Sequence, residues 1–263
     1  MTRRLDWAEY RYAEFANCDA MNTIAILPTA AIEQHGPHLP VGTDTLIATG
    51  MLDELRRVVP DDLDIRILPV QAVGKSNEHL WAGGTVTLSA ATALAAWTEI
   101  GLSVARAGVK KIVIVNSHGG NLDLVSILSR ELRVQADMLA VKCQWSGFGT
   151  PEGLFSDREL AFGIHGGDRE TSMMLAFAPH TVDMSKAIDT PSSAEVTPVP
   201  PIGPVSYGWI ASDLSDTGIV GEAAQATADK GRAACEYQVK GFIDLLYKVR
   251  AMALPGSPGS SRG

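Results

Sequence analysis

Short apolar runs alternate with longer amphipathic segments along most of the chain. The apolar runs predict strands at 22–30, 64–70, 110–120 and 137–145, and the third of these ends in a polar, Gly-rich turn. The amphipathic segments predict helices at 44–59, 89–108, 121–135, 168–178 and 222–249. Strand and helix in alternation are typical of βαβ units. The pattern therefore predicts an α/β fold, a three-layer sandwich around a mainly parallel β-sheet with helices on both faces.

The ends of two predicted helices carry residue types that commonly begin or stop a helix. Ser89 is suited to the N-cap of the helix at 89–108, and Gly108 is suited to its stop. Asp44 is equally suited to the N-cap of the helix at 44–59. A cap is one interpretation of Asp44, and a metal-binding carboxylate is the other.

The length of 263 residues fits a single domain, which we place at 1–254. Residues 187–206 are rich in Pro and Ser, without a regular period, and predict a long loop that serves as a lid or as a partner-contact arm. The segment 255–263 is so rich in Gly, Ser and Pro that it predicts a flexible tail.

Charge and composition exclude several classes of partner. The formal net charge of −8 argues against nucleic acid and against an anionic membrane surface, because both require a basic footprint. The beginning of the chain lacks the apolar core of a signal peptide, and no stretch reaches the 18 or so apolar residues of a membrane span. The three cysteines form no CxxC motif. We therefore expect a cytoplasmic protein.

Histidines and acids gather in the polar turns that follow the predicted strands. In Glu33-Gln34-His35, residues i and i+2 of an extended segment project to the same side, so Glu33 and His35 can reach one small volume. His118 follows the third strand directly. Asp44 could bridge two divalent ions, whose mutual repulsion requires a shared anionic ligand. Parallel sheets bind ligands at the carboxyl ends of their strands, so these side chains are expected to converge.

Two further clusters can supply ligands or carry protons. The Gly-rich turn at 165–168 contains His165, and Glu170 lies in the helix start that follows it. There Glu170 is either an ordinary acid favoured by the helix dipole or, with His165, a metal ligand and a proton carrier. Neither GxSxG nor HExxH is present. Glu, His and Asp ligands suit zinc, manganese or iron.

At this point the motifs resemble a known family, the creatininase (creatinine amidohydrolase) family. The resemblance rests on IEQHGPHLP at 32–40 with GTD at 42–44, GKSNEH at 74–79 with GT at 84–85, NSHGGN at 116–121, HGGDRETS at 165–172 and GIVG at 218–221. It implies an α/β fold, a dinuclear metal site, hydrolysis of a non-peptide C–N bond and a homohexamer.

The resemblance also assigns residues to the two ions. It implies that Glu33 and His118 bind one ion, His35 binds the other, and Asp44 bridges them. Creatininase itself has a further glutamate ligand where this chain has Gly120. Glu170 is our candidate for the missing carboxylate, and this departure argues against creatinine as the substrate.

These residues predict a hydrolase that uses two divalent ions per chain, with zinc as the first ion and zinc, manganese or iron as the second. His165 is the candidate for proton transfer, and Glu78 and His79 are candidates for positioning the substrate or supporting the ligands. A cyclic amide, a formamide or a small amide would suit this site. The alternatives are cleavage of a ring ketone, cleavage of a short peptide in cofactor maturation, a metal-binding protein without catalysis, and a structural oligomer scaffold.

Overall fold

The computed structural model describes residues 3–254, and its centre is a sheet of four parallel strands. The strands are β1 (Ile24–Thr29), β2 (Ile65–Ile67), β3 (Lys111–Asn116) and β4 (Leu139–Gln144). Their order across the sheet is β2-β1-β3-β4. A separate antiparallel ribbon pairs β5 (Asp189–Thr190) with β6 (Gly221–Glu222).

Helices cover both faces of the sheet. They are α1 (Thr43–Val58), α2 (Ala90–Arg106), α3 (Leu122–Ala136), α4 (Asp157–Phe162), α5 (Asp168–Phe177), α6 (Ala211–Leu214) and α7 (Ala228–Ala251). Helices α1, α5 and α7 pack together on one face, and α2 and α3 pack together on the other. The predicted three-layer α/β architecture is therefore confirmed.

The central strands are apolar because both of their faces are buried. Successive side chains of a strand point to opposite faces, so Ile24 and Ile26 of β1 join the core under α1, α5 and α7. Ala25 and Leu27 join the core under α2 and α3. All six residues of β3 are buried as well, which explains why its sequence shows a continuous apolar run rather than an alternation.

The helix ends agree with the sequence at α2 and differ at α1. Ser89 caps α2 by accepting a hydrogen bond from the backbone N–H of Thr92, and Gly108 follows the helix with φ of +89°. The expectation that Asp44 caps α1 is wrong, because Gly42 occupies the N-cap position and no side chain bonds there. Asp44 lies inside the first turn, so its carboxylate is directed elsewhere.

Three other boundaries differ from the predicted pattern. The strand expected at 64–70 is only Ile65–Ile67, because Pro69 has no N–H to continue the ladder. The last helix begins at Ala228, where the Thr227 side chain caps it, so the start expected at residue 222 is wrong. The loop at 187–206 contains β5 and a short helical turn at Ser193–Glu195.

Within 3–254, no helix is long and apolar enough to cross a membrane. The tail predicted at 255–263 lies outside the described residues.

A buried lysine ties the sheet to the end of α7. Lys111 begins β3 and is 1% exposed. Its ammonium group donates to the carbonyl oxygens of Val249, Arg250 and Met252, at 3.0, 2.6 and 2.7 Å. The last carbonyl groups of a helix have no partner within the helix, so this ammonium serves as their cap.

Replacing Lys111 with methionine is expected to destabilise the protein by about 2–4 kcal/mol, because buried carbonyl groups lose a charged donor. Urea unfolding followed by circular dichroism measures this change. Lys142→Met is the matched control, since Lys142 is an exposed residue of β4. Equal unfolding midpoints for the two variants would show that the cap contributes nothing.

Candidate metal centre

The residues that the sequence singles out converge at the carboxyl edge of the sheet. All eight predicted site residues take part: Glu33, His35, Asp44, Glu78, His79, His118, His165 and Glu170. The segment after β1, the first turn of α1, the turn after β3 and the start of α5 all contribute. Seven of the eight side chains are buried, and Glu170 is half-buried.

Asp44 lies between two imidazoles. Its Oδ1 is 3.5 Å from Nε2 of His35, and its Oδ2 is 3.1 Å from Nδ1 of His118. Each carboxylate oxygen thus faces a different histidine. A carboxylate that is shared between two neighbouring ions needs this placement.

The centre contains buried polar atoms that lack hydrogen-bond partners within the described part of the chain. They are both carboxylate oxygens of Glu33, Nε2 of His35 and Oδ2 of Asp44. Such atoms are rare in native proteins because leaving them unpaired costs free energy. Glu33, His35 and Asp44 also place one ligand atom each within 4.8 Å of one another. The residues present therefore fit a divalent cation.

Backbone carbonyl groups orient both histidines. His35 donates from Nδ1 to the carbonyl oxygen of Glu33 at 3.0 Å, which leaves the lone pair of Nε2 directed toward Asp44. His118 donates from Nε2 to the carbonyl oxygen of Lys75 at 2.9 Å, which leaves Nδ1 facing Asp44. Metal-binding histidines are commonly fixed in this way.

Buried charges in the centre perturb each other strongly. Burial lowers the pKa of His35, but the carboxylate of Asp44 overrides it and raises that pKa to about 10. Burial likewise lowers the pKa of His118, and Glu33 with Asp44 raises it to about 9. Burial raises the pKa of Glu33 to about 7. The two imidazoles hold the pKa of Asp44 below its usual range against the effect of burial. The carboxylates thus favour positive charge between them.

His79 and His165 are neutral neighbours of Glu33. Burial, assisted by the charge of His35, lowers the pKa of His79 to about 4 and that of His165 well below its usual value. His165 donates from Nε2 to the backbone carbonyl of Gln34, so its Nδ1, 3.6 Å from Oε1 of Glu33, is free to accept. The Gln34 side chain donates to Nδ1 of His79 at 2.9 Å, so Nε2 of His79 carries the proton and faces Glu33 at 3.3 Å.

Glu78 occupies the space that a side chain at position 120 would need. A Cβ at Gly120 would lie 2.1 Å from Oε1 of Glu78 and 2.5 Å from Nε2 of His118. The other oxygen of Glu78 pairs with the ammonium of Lys75 at 2.7 Å. Glycine at 120 therefore permits the carboxylate of Glu78 to lie 3.7 Å from His118.

Glu170 approaches the centre from the first turn of α5. Its Oε2 accepts from the backbone N–H of Gly166 at 2.6 Å and lies 3.9 Å from Nε2 of His35. Burial raises the pKa of Glu170, and the positive charge of His35 opposes that rise. Glu170 is thus close enough to share an ion with His35.

Two supporting residues were not singled out by the sequence. Asn121 links three turns: it donates to the carbonyl of Ala30 at 3.0 Å and accepts from the backbone N–H of Lys75 at 3.0 Å. Glu159 is 1% exposed and accepts from the backbone N–H groups of Arg169 and Glu222, which fixes the start of α5 beside β6. The pattern Ser156-x-x-Glu159 signals a helix start, but not a buried carboxylate.

A cavity of about 390 Å³ opens above the centre. The cluster, including Glu33, Asp44, His118 and His165, forms one wall, and the loop at 201–209 forms the other. The indole of Trp209 donates to the carbonyl of Pro201 at 2.8 Å and so closes that loop on itself. The long loop expected at 187–206 thus extends to residue 209 where it meets the site.

A parallel α/β sheet with a buried Glu/His/Asp cluster at its carboxyl edge, open to a cavity, defines a metal-dependent hydrolase. The chain belongs to the creatininase family: the family model described as creatinine amidohydrolase matches residues 8–246.

Relatives and a solved structure agree with this membership. The mycofactocin precursor peptide peptidase of Mycolicibacterium smegmatis is 30% identical over 229 residues, covering 86% of this chain and 85% of the relative. The creatinine amidohydrolase of Pseudomonas putida is 28% identical over 262 residues, covering 92% and 94%. A mutant creatininase structure of the Zn-Zn type is similar with a TM-score of 0.75 at 25% identity, covering 95% of this chain and all of that one.

Proposed function

We propose that this chain uses two divalent ions to hydrolyse the C–N bond of a cyclic amide, a formamide or another small amide. The observation that carries the proposal is Asp44, whose two oxygens face His35 and His118 at the floor of the cavity. The unpaired atoms of Glu33, His35 and Asp44 support it, because a cation would satisfy them.

In this assignment Glu33 and His118 would hold one ion, His35 and Glu170 would hold the other, and Asp44 would serve both. The short distances from Asp44 to both histidines and from His35 to Glu170 support that division. Zinc suits the first position, and zinc, manganese or iron suits the second, because the donors are imidazole and carboxylate without thiolate. The relationship to a Zn-Zn creatininase supports zinc.

Bound divalent ions would supply Lewis acidity, which acidifies water and polarises a substrate carbonyl. His165, neutral and with Nδ1 free beside Glu33, would accept the proton that the attacking water loses and donate it to the departing nitrogen. His79 directs its Nε2–H toward Glu33 from 3.3 Å and so favours the charged form of that carboxylate. Lys75 and Glu78 form a charged pair at the cavity wall that can orient a polar substrate.

A short peptide is the second candidate substrate. The 30% identity to a precursor peptide peptidase favours it, and so does the loop at 201–209, whose exposed Ile202 and Val205 offer an apolar surface beside the cavity. Creatinine is disfavoured, because Glu78 fills the space at Gly120 where creatininase has a glutamate ligand.

Metal analysis followed by an activity screen tests the proposed function. Purified protein is expected to contain about two ions per chain, to lose turnover with a chelator, and to regain it with zinc or manganese. The screen compares cyclic amides, formamides and short peptides. Protein without bound metal that also fails to take up added zinc would refute the proposal.

We also propose that the chain forms a homo-oligomer, with a hexamer as the expected state. Two apolar side chains on the outer side of α3 support an interface there, since Ile127 and Val134 are 46% and 73% exposed. Light scattering coupled to size exclusion measures the mass, and a monomer at micromolar concentration would contradict this.

A further inference from the structure

A second, smaller cavity adjoins the metal centre. Its volume is about 120 Å³, and Glu170 lines both this cavity and the larger one above the cluster. Ser117, the residue before His118, lines it as well. A group held in the second cavity would therefore lie next to the reacting end of a substrate.

Polar atoms without partners concentrate at this cavity. In the part of the chain that the structure describes, nine buried side-chain atoms lack a hydrogen bond; four belong to the metal centre, and three belong to residues that line this cavity. Two of them can donate, Oγ of Ser117 and Nε1 of Trp145, and the third, Oε1 of Gln238, is an acceptor. Trp145 is 3% exposed and Gln238 is 4% exposed. The metal centre and the second cavity together contain seven of the nine unpaired atoms, which indicates that each of them receives a ligand.

A half-buried arginine also lines the second cavity. The backbone of Arg169 is held by Glu159, but its guanidinium has no carboxylate within 4 Å and no hydrogen bond among residues 3–254. Among the residues that line the cavity, Arg169 is the one cation and Glu170 is the one acid. Glu170 is turned toward Gly166 and His35. The charge of Arg169 acts on Glu159 and Glu170, but neither carboxylate contacts the guanidinium directly. A partly desolvated guanidinium favours a contacting anion, so its side chain can receive an anionic ligand.

We propose that this cavity binds a carboxylate carried by the substrate, with Arg169, the indole N–H of Trp145 and the hydroxyl of Ser117 as donors. Phe155 and Met173 line the remaining wall, so a short apolar chain fits beside the carboxylate. The volume accommodates a carboxylate with a few carbon atoms, since one water takes about 30 Å³. The inference rests on the proposed function, and it narrows the substrate to an amide that bears a carboxylate near the scissile bond.

Binding of butyrate, with uncharged butyramide as the comparison, tests the proposal without any turnover. The indole N–H signals of ¹⁵N-tryptophan-labelled protein are recorded by NMR, and Trp145→Phe identifies the signal of Trp145. We expect butyrate to shift this signal in both metal-loaded and metal-free protein. Butyramide is expected to bind at least about tenfold more weakly, because it lacks the charge that the guanidinium recognises.

Arg169→Met is expected to weaken butyrate binding at least about tenfold. Arg232→Met is the matched control, because Arg232 is exposed on α7 and pairs with Asp229. A Trp145 signal that butyrate does not move, or equal affinities for butyrate and butyramide, would overturn the proposal even if Arg169→Met does not fold. Metal content and turnover are measured separately, so loss of this inference leaves the proposed function standing.

Discussion

Replacing Asp44 with asparagine is expected to remove both metal ions and to reduce turnover about a thousandfold or more, because the shared anionic ligand supplies several kcal/mol of stabilisation to a two-ion site. The asparagine has nearly the same shape, but it carries no charge to offset the repulsion between two cations. Metal analysis of the purified variant and its turnover of the substrate found in the screen measure the effect.

Asp53→Asn is the matched control for this substitution. Asp53 lies on the same helix as Asp44, is exposed, and pairs with Arg56. It should keep both the metals and the activity. Retention of two ions by a folded Asp44→Asn protein would show that Asp44 is not the bridge, whatever happens to turnover.

The second large effect is expected at Glu170. Glu170→Gln should lower the metal content from about two ions per chain to about one, and turnover by about a hundredfold or more, because an amide is a much weaker ligand than a carboxylate. The carbonyl oxygen of the glutamine can still accept from the N–H of Gly166, so the start of α5 should remain in place.

Glu78→Gln provides the comparison for Glu170, because both carboxylates lie beside a histidine of the centre. If Glu170 supplies the ligand missing at Gly120, Glu78→Gln keeps two ions. The opposite result, with one ion lost from Glu78→Gln and none from Glu170→Gln, would show that Glu78 is the ligand that replaces the one missing at Gly120.

Much of the fold follows from local pattern. Strands β1 and β3 are buried on both faces, so their apolar runs are unambiguous, and Ser89 and Gly108 bound α2 as their residue types predict. The sequence pattern also predicts that the site residues converge, because the carboxyl ends of parallel strands share one edge of the sheet. Their individual roles as ligands or proton carriers stay predictions.

What the sequence does not predict depends on contacts between distant segments. Asp44 has the residue type of a cap, and only the neighbouring His35 and His118 show that its carboxylate faces inward. Glu159 looks like a surface acid of a short helix, yet backbone N–H groups from two other segments surround it. Unpaired atoms such as those of Trp145 and Gln238 are likewise visible only once all neighbours are placed.

The glycine at position 120 has a consequence for how this chain can change. Because a Cβ there would meet Glu78 at 2.1 Å, positions 78 and 120 cannot both carry an extended side chain in the present geometry. Introducing the glutamate of creatininase at 120 thus requires Glu78 to move, which disturbs its pair with Lys75, and the backbone carbonyl of Lys75, 2.5 Å from that Cβ, to move as well. Positions 78 and 120 are therefore expected to show epistasis, because the effect of a side chain at one depends on the space taken by the side chain at the other.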